Sequence, residues 1–349
     1  MLVLGIETSC DETAVSVVEN GKRILSNEVL SSLHLHKKYG GVVPEIATRH
    51  HVELINYVLR AALGKAKVKL SGIDLIAAVH GPGLVGALLI GLSLAKVLSL
   101  ALNAPLVGIN HLQAHLYAAL MLKRRPQFPF VGLVVSGGHT NLFYVRDYLI
   151  WETLGRTRDD AAGEAFDKVA KILNLGYPGG PVIEKMAKCG RPDKIRFPRS
   201  CLEENSLDFS FSGLKTAVLY YVRDSFGRRA SKKSIRNTKI ADVAASFQEA
   251  AVDTLAEKAI KACLLKGVKN FVAGGGVVAN RRLREVLRRR LNRRGIDTYF
   301  PKFGLCQDNA AMVAGLGYQQ YLRGIVSNLN LEAQPNLTIV PKRKRKKEI

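Results

Sequence analysis

The feature that most constrains how this chain can fold is a pattern that occurs twice. Residues 2–7 read as an apolar strand and residues 13–19 as a second, and Asn20-Gly21 is a two-residue turn of the kind that joins antiparallel strands, leading into residues 23–30. The pattern restarts at residues 131–135. There the tight turn Ser136-Gly137-Gly138-His139-Thr140 precedes strands at 141–145 and 151–154. Each meander is continued by strands that alternate with helical patterns. In the first half these are a helix from Pro44 to about residue 63, a strand at 74–79, an apolar helix at 84–102 and a strand at 105–109. In the second they are helices at 161–173 and 240–265, a strand at 269–273, a helix starting near Asn280, a strand at 297–300 and a last helix from Asp308 to about residue 322. Two meanders, each followed by βα alternation, predict two similar α/β halves fused in one chain. A length of 349 residues suits two such halves.

That order of elements is the topological signature of the duplicated ribonuclease-H-like fold of actin, Hsp70 and sugar kinases, a two-lobed α/β fold with its active site in the cleft between the lobes. The inference rests on pattern, since no residue-level repeat is visible. The expected division is a first actin-like lobe at 1–125 and a second, nucleotide- and substrate-binding lobe at 126–308. The C-terminal helix at 309–325 is expected to pack back on the first lobe, and a basic tail at 335–349 to be disordered.

Between the halves lies Asn110-His111-Leu112-Gln113-Ala114-His115, a histidine pair four residues apart at the start of an apolar run. Positions i and i+4 share one helix face, so two imidazoles so placed can grip one transition metal. A buried structural pair is the alternative. The turn Thr8-Ser9-Cys10-Asp11-Glu12-Thr13 can offer hydroxyls and amides to a phosphate or a carboxylate to a proton, or serve as turn chemistry alone. Ser136-Gly137-Gly138 and Gly274-Gly275-Gly276 lack bulk, so backbone N–H groups there can approach an anion. Neither is a Walker A loop or a dinucleotide fingerprint. Taken together in two halves, the glycine turns favour an adenine nucleotide.

Charge sets the class of partner. The chain carries +23, and eight arginines against one acid, Glu285, stand at residues 281–294. Residues 228–239 hold six basic residues and no acid, and residues 342–347 are all basic. A polyanion, RNA or DNA, is the leading partner, and a salt-adapted or thermophilic surface is the other source of such a balance. An aromatic content of 7% offers no clear stacking platform, so RNA would be held mainly through phosphates, with steep salt dependence. Five cysteines without a C-x-x-C pair predict reduced thiols in a cytosol. Residues 1–6 are too short an apolar run for a signal peptide. Lys96 and three glycines within and beside residues 84–102 argue for a buried helix there and against a membrane span.

Longer strings then carry a resemblance. Gly5-Ile6-Glu7-Thr8-Ser9-Cys10-Asp11-Glu12-Thr13, Gly40-Gly41-Val42-Val43-Pro44-Glu45, Gly81-Pro82-Gly83-Leu84, Val135-Ser136-Gly137-Gly138-His139-Thr140 and Asp159-Asp160-Ala161-Ala162-Gly163-Glu164-Ala165-Phe166-Asp167-Lys168 are similar to the TsaD family, bacterial branch. So are Tyr177-Pro178-Gly179-Gly180, Asp208-Phe209-Ser210-Phe211-Ser212-Gly213-Leu214-Lys215, residues 274–280 and Asp308-Asn309.

The resemblance implies a tRNA N6-adenosine threonylcarbamoyltransferase. Such an enzyme moves the threonylcarbamoyl group of threonylcarbamoyl-adenylate to the amine of the tRNA adenosine 3′ of the anticodon and releases AMP. It implies His111, His115 and Asp308 as ligands of one metal, a set favoured by Fe(II) that Zn(II) could also occupy. It implies Val134, Val135, Ser136, Gly137, Gly138, Asp167, Gly180 and Asn280 as the adenylate site. Asp11 or Glu12 is the candidate proton acceptor. A TsaB-type paralogue and a TsaE-type ATPase are implied as partners in a cytoplasmic assembly with no membrane, and homodimerisation stays open. The chain departs from the family in having Gln113-Ala114 where Glu-Gly is usual, and Gln307 where Thr is usual.

Two other classes compete. A metallopeptidase would need H-E-x-x-H, and Leu112 and Gln113 supply no general base. A non-catalytic, Hsp70-like nucleotide-binding subunit would keep the glycine turns and lose the metal set, whereas this chain keeps both.

Overall fold

The computed structural model describes residues 1–199, 206–226 and 237–339. The basic run expected at 228–239, up to residue 236, and the tail from residue 340 lie outside the described residues.

Three apolar stretches joined by short polar turns make the first meander. β1 (Leu2–Glu7) pairs antiparallel with β2 (Glu12–Glu19), and β2 with β3 (Arg23–Ser31). A short α1 (Leu33–His36) and a long α2 (Pro44–Ala66), opened by Pro44 in its first turn, lead to β4 (Leu75–Gly81), α3 (Val85–Leu102), β5 (Leu106–Asn110) and α4 (His111–Leu120). β4 lies parallel to β1 and β5 parallel to β4, so the sheet order is β3-β2-β1-β4-β5.

The second half repeats this. β6 (Phe130–Val135), β7 (Thr140–Val145) and β8 (Trp151–Arg156) form the meander. α5 (Ala162–Ile172), α6 (Gly179–Ala187), α7 (Ser212–Phe226) and α8 (Asn237–Lys266) follow, then β9 (Asn270–Gly274), α9 (Arg281–Asn292), β10 (Asp297–Tyr299) and α10 (Ala310–Tyr321). β9 joins β6 in parallel and β10 joins β9, giving β8-β7-β6-β9-β10, the first sheet's order with the same strand senses. The duplicated ribonuclease-H-like topology is therefore present in both halves.

Burial follows the layers. The outer face of the first sheet packs under α2 and α3, and that of the second under α5, α8 and α9. Between the sheets a shared core takes Leu112, Leu116 and Tyr117 of α4 and Met312, Val313 and Leu316 of α10, together with Val134, Phe143 and Val272 of the second sheet. Central glycines let these middle helices come close: a Cβ on Gly5 of β1 would overlap the carbonyl oxygen of Ala310, and one on Gly132 of β6 would overlap Leu116. α10 packs on β1, β2 and β4.

Three expectations need correction. The apolar helix is buried on one side only, through Ala87, Leu88, Leu92, Ala95 and Leu98, whereas Leu100 is 72% and Val97 62% exposed. Hydrophobicity all round hides which face packs, so composition alone reads it as fully buried. α3 is also long and apolar enough to cross a membrane by length and composition. Two helices lie between those expected at 161–173 and 240–265: α6, opened by Gly179-Gly180, and α7 have no counterpart in the sequence pattern. The last helix begins at Ala310 and not at Asp308, because the Asn309 side chain caps it, accepting from Met312 N at 3.1 Å.

Candidate metal centre

β5 ends at Asn110, whose side-chain oxygen accepts from Leu112 N at 2.9 Å and Gln113 N at 3.3 Å. This cap starts α4 at His111, which puts His111 and His115 one turn apart on the helix between the sheets. Their rings meet edge-on with centroids 4.5 Å apart. Asp308 arrives from the loop before α10, held outside the helix by the Asn309 cap. Its Oδ1 lies 3.1 Å from His115 Nε2 and 3.7 Å from His111 Nε2. The three donor atoms fall within 4.8 Å of one another. Donors bound to one ion about 2 Å away stand at most about 4 Å apart, so both Asp308 distances fit a shared ion.

The donor chemistry also fits. His115 is fully buried, and among the described residues neither of its ring nitrogens has a hydrogen-bond partner. The Nε2 approach to Asp308 is close in distance but lacks hydrogen-bond alignment. Leaving a buried polar atom unpaired costs about 1–3 kcal/mol, a cost that a cation between Nε2 and the carboxylate would remove.

The residue that sets His111 is Glu7, which the sequence reading did not single out. Its fully buried carboxylate lies 2.9 Å from His111 Nδ1, and Ser9 Oγ lies 3.1 Å from the same nitrogen. The carboxylate holds a ring proton on Nδ1, so Nε2 is the nitrogen directed at Asp308, available to an ion once its own proton leaves. The available signal was a carboxylate ending an otherwise apolar strand. Burial disfavours a charged His111, but the Asp308 and Glu7 carboxylates outweigh it and raise the imidazole to about 9. Asp308 shows the reverse: burial would raise it, and His111 and His115 hold it well below the usual carboxylate range. His139, 6.4 Å from the His111 ring, is held down to about 4 by burial and by the two neighbouring imidazoles.

Two turns flank this set. On the first lobe His51 pins residues 10–13, with Nδ1 2.7 Å from Thr13 Oγ1 and Nε2 3.0 Å from the Cys10 carbonyl. Asp11 is buried, and Glu12 receives a hydrogen bond from Ser31 Oγ at 3.3 Å. Burial, with Asp308 and Asp11 close by, pushes the Glu12 carboxyl well up. Asp11, Glu12 and Asp308 thus share one acidic neighbourhood.

On the second lobe Ser136 N donates to the His139 carbonyl at 2.8 Å, closing the glycine turn. A Cβ on Gly137 or Gly138 would meet nothing within 4 Å, so this backbone borders open space. Val134 and Val135 are fully buried, one in the shared core and one in the outer core, which leaves only their main chain to face a ligand. Gly275, at φ +98°, packs so tightly on Val135 that a Cβ would overlap its carbonyl oxygen. α9 starts at Arg281, beside the expected start near Asn280. A 3-10 turn (Gly276–Ala279) precedes it, and Asn280 caps α9, accepting from Leu283 N at 3.0 Å and donating to Gln248 Oε1 at 2.8 Å. Asp167 accepts from Gly179 N at 2.6 Å at the start of α6, beside the open Gly180. Burial, outweighing that hydrogen bond and aided by Asp11 and Glu164, raises Asp167 to about 6.

Fold and site together define a two-lobed actin-like protein with a His-His-Asp donor set between the lobes, both histidines buried. Solved structures share that fold: T. kodakarensis HypF at a TM-score of 0.62 and 18% identity over 93% of this chain and 48% of that one, and the Acidaminococcus fermentans (R)-2-hydroxyglutaryl-CoA dehydratase component A at 0.53 and 15% over 92% and 99%. The family model of TsaD, tRNA N6-adenosine threonylcarbamoyltransferase, matches residues 23–315. Proteins of that name from Symbiobacterium thermophilum and Thermotoga neapolitana are 53% and 50% identical to this chain, covering 96% and 97% of it and 96% and 100% of their own lengths. The chain belongs to the TsaD family.

Proposed function

We propose that this chain transfers the threonylcarbamoyl group of threonylcarbamoyl-adenylate to N6 of the tRNA adenosine adjacent to the anticodon. Its relatives carry the name of that activity over nearly their whole length. The observation that carries the reading here is the meeting of His111 and His115 with Asp308, far apart in sequence, beside the glycine-lined space. A metallopeptidase is not favoured, since no carboxylate stands at the position after His111.

In this reading His111, His115 and Asp308 hold one ion, Fe(II) by the type of donor set, with Zn(II) as the competitor. When bound, the ion supplies Lewis-acid polarisation of the carbamoyl carbonyl. The backbone N–H groups of Gly137 and Gly138 receive the phosphate of the adenylate, with the Ser136 N–H closing the turn and Val134 and Val135 fixing that backbone from the core. Asp167, Gly180 and the turn capped by Asn280 hold the nucleoside end. The adenosine N6 attacks the carbamoyl carbon, the bond from that carbon to the phosphate oxygen breaks, and AMP leaves with the electron pair. The amine proton passes to Glu12 or Asp11.

The two lobes, residues 1–125 and 126–308 with the helix at 309–325 returning to the first, close on the substrates from both sides. tRNA is the polyanion that the charge of +23 attracts. A TsaB-type paralogue and a TsaE-type ATPase complete the cytoplasmic assembly, with no membrane, and sedimentation of the chain alone reports whether it also pairs with itself. Purified chain, with the partners it needs, incubated with the adenylate and unmodified tRNA should yield threonylcarbamoyl-adenosine and AMP in equal amounts on nucleoside analysis. AMP formed without modified tRNA would rule out transfer.

A further inference from the structure

The composition predicts no stacking platform, yet one stands beside the site. Phe303 follows β10 at the edge of the sheet where the glycine turns also lie, and its ring is 54% exposed. The guanidinium of Arg284 sits 4.1 Å from the ring centroid. It is fixed there by bonds to the carbonyls of Val278 and Pro301 and by a 2.9 Å contact with Cys306 Sγ. Arg288 lies over the neighbouring Phe300 ring at 5.5 Å.

The charges of α9 divide by face. Arg282, Arg289 and Arg290 are paired with Glu249, Glu285 and Asp253. Arg281, Arg284 and Arg288 recur at helical spacing on the side facing Phe300 and Phe303. Among the described residues Arg281, Arg288 and the exposed Lys302 form no ion pair. Glu249, Glu285 and Asp253 are taken up by Arg282, Arg289 and Arg290, and Glu184 accepts from the Arg281 main chain, so among the described residues Arg288 and Lys302 stand beside the aromatic rings without a carboxylate partner. The position is also telling. Cys306, which Arg284 touches, is two residues before Asp308, and the five residues from Phe303 to Asp308 span at most about 17 Å. A nucleic-acid strand covers that length in a few nucleotides.

We propose that Phe303, backed by Arg284, stacks a base of the tRNA anticodon loop next to the adenosine being modified, while Arg281, Arg288 and Lys302 hold adjoining phosphates. This rests on the transfer reading above and names the surface that presents its RNA. Aromatic–base stacking suits the task because every base has a π-face, so different tRNAs can use one ring. Arg284 is a positioning residue, holding the ring through the turn that it anchors.

The test uses the full chain, in the assembly that supports wild-type transfer, with an unmodified tRNA transcript. Phe303→Ala should weaken tRNA binding, read by anisotropy, and raise the KM for tRNA about tenfold. The KM for threonylcarbamoyl-adenylate and the melting temperature should hold, since the ring is exposed. Phe303→Trp should restore binding, and Arg288→Ala should lower the slope of log K against log salt by about one. Binding within twofold of wild type for both Phe303→Ala and Arg288→Ala overturns the proposal. So does a raised KM for the adenylate with tRNA binding intact, which would give the ring to the other substrate. Wild-type protein that binds tRNA but forms no modified nucleoside would sink the transfer reading and leave the surface tested by binding alone.

Discussion

Glu7 Oε2 stands 2.9 Å from His111 Nδ1, and both side chains are shut away from solvent. The carboxylate fixes which imidazole nitrogen faces Asp308. Glu7→Gln keeps the shape and removes the charge, and should lower metal affinity by about 10–100-fold with little change in fold. Metal titration of the stripped protein measures it. Unchanged affinity would mean that Glu7 does not orient the ligand.

Two glycines on neighbouring turns of the second sheet should respond differently to the same methyl group. Gly275→Ala forces a Cβ into the Val135 carbonyl at φ +98° and should destabilise the chain by about 2 kcal/mol or more. Gly137→Ala meets nothing within 4 Å, so melting should stay at the wild-type value while the KM for the adenylate rises. Paired melting and kinetic measurements separate the two. A Gly137→Ala enzyme with an unaltered KM would place the adenylate elsewhere.

Much of this was open to reading in the chain, for reasons that differ by element. Both meanders were legible because strands buried on both faces read as short apolar runs and a tight turn needs Asn-Gly or glycine. The donor set was legible as a resemblance, since spacing ties His111 to His115 but nothing local ties either to Asp308. Glu7 was hidden because a carboxylate at a strand end ordinarily faces water. α6 was hidden behind Pro178-Gly179-Gly180, whose residues signal a loop yet serve as a helix start fixed by Asp167. The half-exposed face of α3 could not be seen, because an all-apolar helix shows no moment to say which side packs. Asn280 also makes contacts that only the fold reveals, capping α9 and donating to Gln248.

Asp167 makes a pH-dependent prediction. Its folded value of about 6 lies above the ordinary value of about 3.9, so the folded chain binds this proton more tightly than the unfolded one. Its charged form therefore costs stability above pH 6, and the cost fades as pH falls through 6 and is gone below about 4. Asp167→Asn keeps an acceptor for Gly179 N and removes the charge. The variant should be more stable by about 1–3 kcal/mol at pH 8, with the difference vanishing near pH 4. Melting curves across that range decide it, and a difference that grows toward acid would reverse the assignment.

The central claim is that one ion held by His111, His115 and Asp308 lies where the threonylcarbamoyl group is transferred. Single-turnover transfer to tRNA, measured beside the metal content of the same samples, tests it most directly. Wild-type protein should hold one ion per chain and complete the transfer, and Asp308→Ala should lose both the ion and at least about 100-fold in rate. Transfer by Asp308→Ala at the wild-type rate would contradict the account.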